Sequence, residues 1–271
     1  MTDTQELCGA KTSRGFNQTT AHGRAFYALD PRPEEVFIDD IAAQLSRICR
    51  FGGALKEHVD LEWAEWGRNR GTWNYSCHAH ESGEDVRVIA ETYSVAQHSV
   101  LVADNVPEPY KLRALLHDAA EAYVGDVIKP IKAALTPSAE LIGYLRAAED
   151  KLNGEGLFAP WQDRSGYDRP SNIEEELLRL IPNFSRIERN VQAAILNRFG
   201  LPLEDEEADW HIKIADYRAV LTEHRDLQID NGAVDWGVPK HPPFDERVVP
   251  LLPSAARALF LQRFNELYKG E

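Results

Sequence analysis

The sequence predicts an all-α protein carrying one small inserted β-hairpin, and three observations carry that prediction. Apolar residues recur at i, i+3, i+4 and i+7 in most segments between Ile38 and Tyr268, the spacing that gathers them on one helix face. Alternation of apolar and polar residues is confined to one stretch, Trp73, Tyr75, Cys77 and Ala79, followed by the turn Ser82-Gly-Glu-Asp85 and an apolar run from Val86. The composition is 43% hydrophobic with six Trp, nine Tyr and ten Phe, enough apolar material for a substantial core and too much for a disordered chain.

Residues 1 to about 35 are polar and turn-rich, ending in Asp30-Pro-Arg-Pro. Ile38, Ile41, Ala42, Leu45, Ile48 and Cys49 then share a helical face, and Phe51-Gly52-Gly53 stops that helix. Leu55, Val59, Trp63 and Trp66 mark a second helix, which with the hairpin makes up an insertion at about 54–92. Ser94 caps a helix to about Asp104. Pro107-Glu-Pro opens another that runs through Leu115-Leu-His-Asp to about Tyr123, where Gly125 ends it. Further helices are expected at about 137–152, 173–181, 184–199, 204–227 and 254–268, with a long loop at 154–172 and a Pro-rich loop at 238–249. The acids of Glu204-Asp-Glu-Glu-Ala-Asp209 suit the positive N-terminal end of a helix. No repeat or low-complexity tract interrupts the chain, which reads as a single domain over 1–271 with insertions at about 54–92 and 154–182.

The formal net charge is −14, with Lys and Arg at 30 against Asp and Glu at 44. Coating a nucleic-acid polymer or an anionic membrane needs clustered Lys and Arg, so neither partner is expected. No stretch approaches the roughly 20 apolar residues that span a bilayer. Three cysteines, Cys8, Cys49 and Cys77, form no CxxC pair, and the N-terminus has no basic and apolar leader; a cytoplasmic protein is expected.

The chemistry-bearing stretch is His117-Asp118-Ala-Ala-Glu121-Ala-Tyr-Val-Gly125-Asp126, dense in titratable groups on an otherwise apolar helix. A nitrogen and a hard oxygen on adjacent residues suit a divalent ion when other helices complete the shell. Two other helices each offer one candidate: His98 in Ser94-Val-Ala-Gln-His-Ser, and Asp216 in Trp210-His-Ile-Lys-Ile-Ala-Asp. Helical bundles build metal sites from side chains on facing helices in this way. Asp216 in its apolar setting is costly to bury unless paired or metal-bound. Cys77-His78-Ala-His80 is a weaker zinc candidate, because on a strand the two His share the face opposite Cys77 and no second cluster completes four ligands.

The set His98, His117-Asp118 and Asp216 resembles the HD superfamily of metal-dependent phosphohydrolases. More narrowly, His117-Asp118-x-x-Glu121-x-x-x-Gly125-Asp126-x-x-x-Pro130-x-Lys132, with Arg50-Phe51-Gly-Gly upstream, resembles the 5′-deoxynucleotidase branch and the phage enzymes that strip triphosphate from deoxyadenosine triphosphate. The resemblance spans about 36–54, 93–153 and 184–228. It implies an HD-domain helical bundle and one divalent metal ion (Mn, Co, Fe, Ni, Zn or Mg) bound by His98, His117, Asp118 and Asp216. It implies Glu121 and Asp126 as general base and acid, and Arg50, Phe51 and Lys132 at the substrate. The expected substrate is a small nucleotide, losing phosphate from a deoxynucleoside monophosphate or triphosphate from a deoxynucleoside triphosphate, and the expected assembly is a homo-oligomer. Phe51 departs from the branch, which usually carries Trp there. The alternative from another class is a catalytically silent module of the same fold that binds a nucleotide or a partner protein.

Overall fold

The computed structural model describes residues 14–55, 92–135, 138, 141–144, 147, 151, 183–229 and 241–270. These are mostly helical, as expected, with one two-stranded antiparallel sheet. The chain divides into two compact units, residues 1–126 with 190–271, and residues 127–189. The helix and hairpin expected in 54–92, the Cys77-His78-Ala-His80 stretch, the 154–172 loop and the 173–181 helix lie outside the described residues, apart from Ala54, Leu55 and Thr92. Of the helix expected at 137–152, residues 141–144 are described and helical.

In the first unit the sheet is β1 (Gln18–Thr19) paired with β2 (Ala25–Phe26), in a segment read from the sequence as polar and turn-rich. Gly23, at φ +76°, makes the tight return, and its N–H bonds Thr20 O at 3.0 Å. Strands of two residues carry no alternation, so periodicity could not announce them. The hairpin is anchored on α1 (Ile38–Leu45) by the fully buried Asp40, which accepts from the His22 N–H at 3.0 Å and from Arg24 Nη1 at 2.8 Å.

Helix α1 ends at Leu45 rather than near Gly52. Beyond it the backbone turns extended and spends its hydrogen bonds on a distant segment. Arg50 N–H bonds Tyr93 O at 2.8 Å, Val95 N–H bonds Ile48 O at 3.0 Å, and Cys49 pairs with Ser94 as an isolated antiparallel bridge. This stitch delivers Arg50 to the start of α2 (Val95–Asp104). Ser94 caps α2, its side chain accepting from Gln97 N–H at 3.3 Å. Residues on every side of α2 are buried, as befits the centre of a bundle, and it packs on α3 (Lys111–Leu115), α7 (Glu206–Leu227) and α8 (Pro253–Leu267). The core around it includes Phe26, Ile41, Leu45, Leu115, Leu116, Ile195 and Phe260, each fully buried. Burying each such side chain contributes about 1.5–3 kcal/mol.

The helix expected from Pro107 to Tyr123 is broken. A 3-10 turn at Glu108–Tyr110 leads into α3, residues 116–120 form a tight turn, and α4 (Glu121–Val124) follows. The cause is a side chain inserted into the helical ladder. Ala120 N–H bonds Gln192 Oε1 at 3.2 Å instead of Leu116 O, and Gln192 Nε2 donates to Leu116 O at 2.7 Å. Gly125, at φ +81°, then ends α4.

The second unit holds α5 (Lys129–Ala134), a helix that periodicity had not marked, and the start of α6 (Phe184–Arg198). Within it Lys132 Nζ donates to Glu188 Oε1 at 2.7 Å, and Phe184 N–H bonds Leu135 O at 3.2 Å. Among the described residues, no helix is long and apolar enough to cross a membrane.

Candidate metal centre

Three elements of the first unit converge on one point. His98 comes from the middle of α2, His117 from the 116–120 turn, and Asp216 from α7. One ligand atom from each lies within 4.8 Å of the other two, a group that could hold a metal ion. His98 is fully buried and the other two are half-buried.

The proton arrangement of the two imidazoles is set from behind. His117 Nδ1 lies 2.7 Å from Ala114 O, so it donates there and turns Nε2 toward the group. His98 Nδ1 lies 2.6 Å from Glu223 Oε1 and does the same. Both Nε2 atoms are buried and face carboxylate oxygens, His98 Nε2 at 3.1 Å from Asp216 Oδ1 and His117 Nε2 at 3.3 Å from Asp118 Oδ2. Two buried imidazole nitrogens turned toward carboxylates at one point fit a cation, which would use both lone pairs. This donor set of two imidazoles and a carboxylate suits a divalent transition metal.

Asp118, expected as a fourth ligand, stands beside the group. Its Oδ2 is 3.3 Å from His117 Nε2, 3.6 Å from His98 Nε2 and 3.6 Å from Arg50 Nη1. It sits in the 116–120 turn with His117, not on a continuous helix, so the two are neighbours through a turn.

Charge explains the rest of the geometry. Arg50 is largely buried; burial alone would lower its pKa, but Glu223, Asp118, Asp216 and Glu121 outweigh that and hold it firmly charged. Burial and Arg50 likewise disfavour a charged His98, yet Glu223 and Asp216 overcome both and push its pKa up to about 10. Burial would raise the Asp216 carboxyl, but the nearby His98, His117 and Arg50 hold it well below the usual range. Without a metal, then, His98 keeps a proton between Asp216 (Oδ1 3.1 Å from Nε2) and Glu223, and a cation would take the place of that proton.

The other expected residues are distributed as follows. Glu121 is buried at the start of α4 and lies in the field of Arg50. Asp126 is half-buried just after Gly125. The Phe51 ring centroid lies 5.5 Å from the Arg50 guanidinium carbon. Lys132 belongs to the second unit, where its ammonium rests on Glu188. Sequence reasoning missed Glu223 and Gln192. Glu223 had a signal, since it lies seven residues, two helical turns, beyond Asp216 on the same face; Gln192 had none.

No protein-family model matches the chain. It is 28% identical over 250 residues to the uncharacterized protein YfdR of Escherichia coli K12, a similarity covering 92% of this chain and 93% of that one. It is 32% identical over 125 residues to the uncharacterized protein RCAP_rcc00048 of Rhodobacter capsulatus, covering 44% of this chain and 47% of that one.

Proposed function

We propose that the chain is a divalent-metal-dependent phosphohydrolase of small deoxynucleotides, of the HD type that its motifs resemble. The observation that carries this reading is the convergence of the buried Nε2 atoms of His98 and His117 with an Asp216 carboxylate oxygen, all within 4.8 Å of one another. His98, His117 and Asp216 would hold the ion, with Asp118 Oδ2 adjacent. When bound, the ion supplies a Lewis acid for a phosphoryl oxygen and a site for the attacking water.

The protein's own groups do the rest. Arg50 offers a charged guanidinium beside the ligands, suited to bidentate contact with a phosphate. Its ion-pair distances to Asp118 and Glu223, 3.6 and 3.4 Å, are long enough for those partners to yield to a phosphate oxygen. Glu121 is a carboxylate three residues beyond Asp118 and takes the proton of the attacking water. Asp126 returns a proton to the leaving 5′ oxygen. Phe51 provides an apolar face next to Arg50, where the sugar would lie.

The test is product analysis on mixed deoxynucleoside mono- and triphosphates with Mn²⁺, Co²⁺, Mg²⁺ or Zn²⁺, using wild type and Asp216→Asn. Wild type should release phosphate or triphosphate with at least one ion, and the variant should lose both ion binding and turnover. Binding of a nucleotide without turnover under any ion would overturn the hydrolase reading in favour of a silent binding module.

A further inference from the structure

Glu223 is a fully buried carboxylate on α7 that the proposed chemistry does not use directly. Its two oxygens are divided between two different jobs. Oε1 lies 2.6 Å from His98 Nδ1, and Oε2 lies 3.4 Å from Arg50 Nη2. A carboxylate has no place in a dry interior unless its charge is matched, and here it faces an imidazole and a guanidinium. A neutral imidazole carries one proton, and an acceptor fixed at Nδ1 keeps it there, leaving the Nε2 lone pair outward. His117 receives the same service from a backbone carbonyl, Ala114 O. His98 sits mid-helix on α2, where the carbonyls are engaged in the helix, so the acceptor has to come from another element.

We infer that Glu223 is a positioning residue that fixes His98 with Nε2 toward His117 and Asp216 and, through its second oxygen, ties Arg50 to the same point. The inference rests on reading His98 as a metal ligand. Asp216 and Glu223, two turns apart on α7, then grip one imidazole from both of its nitrogens, and Arg50 is registered to the ligands through the same carboxylate.

The experiment compares wild type, Glu223→Gln and Glu223→Ala, with folding checked by circular dichroism. Two quantities are read: the Mn²⁺ dissociation constant by calorimetry, and the downfield His98 Nδ1–H proton resonance of the metal-free, histidine-labelled protein, distinguished from the Nε2–H that faces Asp216. Glutamine can still accept from Nδ1–H but presents an amide to Arg50 in place of a charge, whereas alanine removes both contacts. Outer-shell partners of this kind carry about 10–100-fold in metal affinity. Mn²⁺ binding should therefore weaken by about tenfold in the Gln variant and by about 100-fold in the Ala variant. The resonance should move upfield with Gln and vanish with Ala. Unchanged Mn²⁺ affinity in a folded Ala variant, or an unchanged resonance, would overturn the inference; should Ala fail to fold, the Gln variant decides by the same two readouts. If wild type binds no divalent cation, the metal reading fails by itself, and the resonance alone decides whether Glu223 holds His98.

Discussion

The insertion of Gln192 into the helical ladder leads to the most direct test of how the fold builds the site. In an unbroken helix Ala120 N–H would bond Leu116 O; here the Gln192 amide takes both groups, at 3.2 and 2.7 Å, and the resulting turn carries His117 and Asp118. Gln192→Leu keeps the side-chain bulk and removes both bonds. If the ladder then closes, two hydrogen bonds are exchanged for one, a loss of about 1 kcal/mol. If it does not, Ala120 N–H is orphaned beside the buried Leu116, and the loss rises to about 3 kcal/mol. In that open case Leu116 O keeps its bond from Ala119 N–H at 3.1 Å, which bounds the penalty. For a chain of this size the melting temperature should fall by roughly 2–12 °C. The effect on the site should be larger than the effect on the fold, because either outcome moves the His117 imidazole off the point it shares with His98 and Asp216. Divalent-metal affinity should drop by about 10–100-fold, the range for losing an outer-shell support. Calorimetric titration and thermal denaturation on the same preparations make the comparison. A variant that binds metal within twofold of wild type would refute the idea that Gln192 sets the turn for the site, whatever its melting temperature.

Two other expectations follow from the same geometry. Asp226 is nearly buried and accepts from Arg225, Arg247 and the Val248 N–H; burial would raise its pKa, but those three bonds outweigh it and hold the carboxyl below its ordinary 3.8. Its contribution is thus complete above pH 4 and lost as pH falls through the lower folded value, so Asp226→Asn should cost about 1–2 kcal/mol at pH 7 and converge with wild type in acid; a gap that stays constant down to pH 2 in urea denaturation would contradict this. Phe51 adopts φ +57°, ψ +22°, a left-handed conformation costing about 1–2 kcal/mol for a residue with a Cβ. Phe51→Gly relieves that cost and adds about 0.5–1 kcal/mol of chain entropy, so stability should change little while KM rises at unchanged kcat; an unchanged KM would remove Phe51 from the substrate surface.

The long helices were legible because each carries its own signals. Ser94 and Asp205 cap α2 and α7 with their side chains, and Pro253 opens α8 at its first position. What was not legible is non-local. The break at 116–120 depends on a glutamine more than seventy positions later, and nothing in Leu-Leu-His-Asp-Ala-Ala-Glu announces it. The end of α1 is likewise decided by the Ile48–Arg50 stitch to Tyr93–Val95, where strand-like bonds replace the helical ones that the apolar spacing of Ile48 and Cys49 would allow. The candidate ligands could be read because each is a chemically distinctive residue in an apolar helix. Glu223 was harder to read: it shares a helix face with Asp216, but on a long helix rich in acids one more glutamate looks like a solvated side chain until burial is known.

That last point bears on how an acidic protein could handle an anionic substrate. Four carboxylates, Asp118, Glu121, Asp216 and Glu223, act together on one buried guanidinium, Arg50, so the metal-free site is a net anion despite its two histidines. The high pKa of His98 is the site's own response, a proton recruited to offset part of that charge. A nucleotide phosphate approaching such a centre would meet repulsion, because Arg50 is already shared between Asp118 and Glu223. A divalent cation would change both terms. Bound by His98, His117 and Asp216, it would put two charges where the metal-free site holds one proton, and Asp118 and Asp216 would then be shared with it rather than left to Arg50 alone. On the proposed reading, the same acidity that argues against nucleic-acid polymers at the surface would, in the interior, collect a cation, and only the cation-loaded site would present the positive face that a phosphate needs.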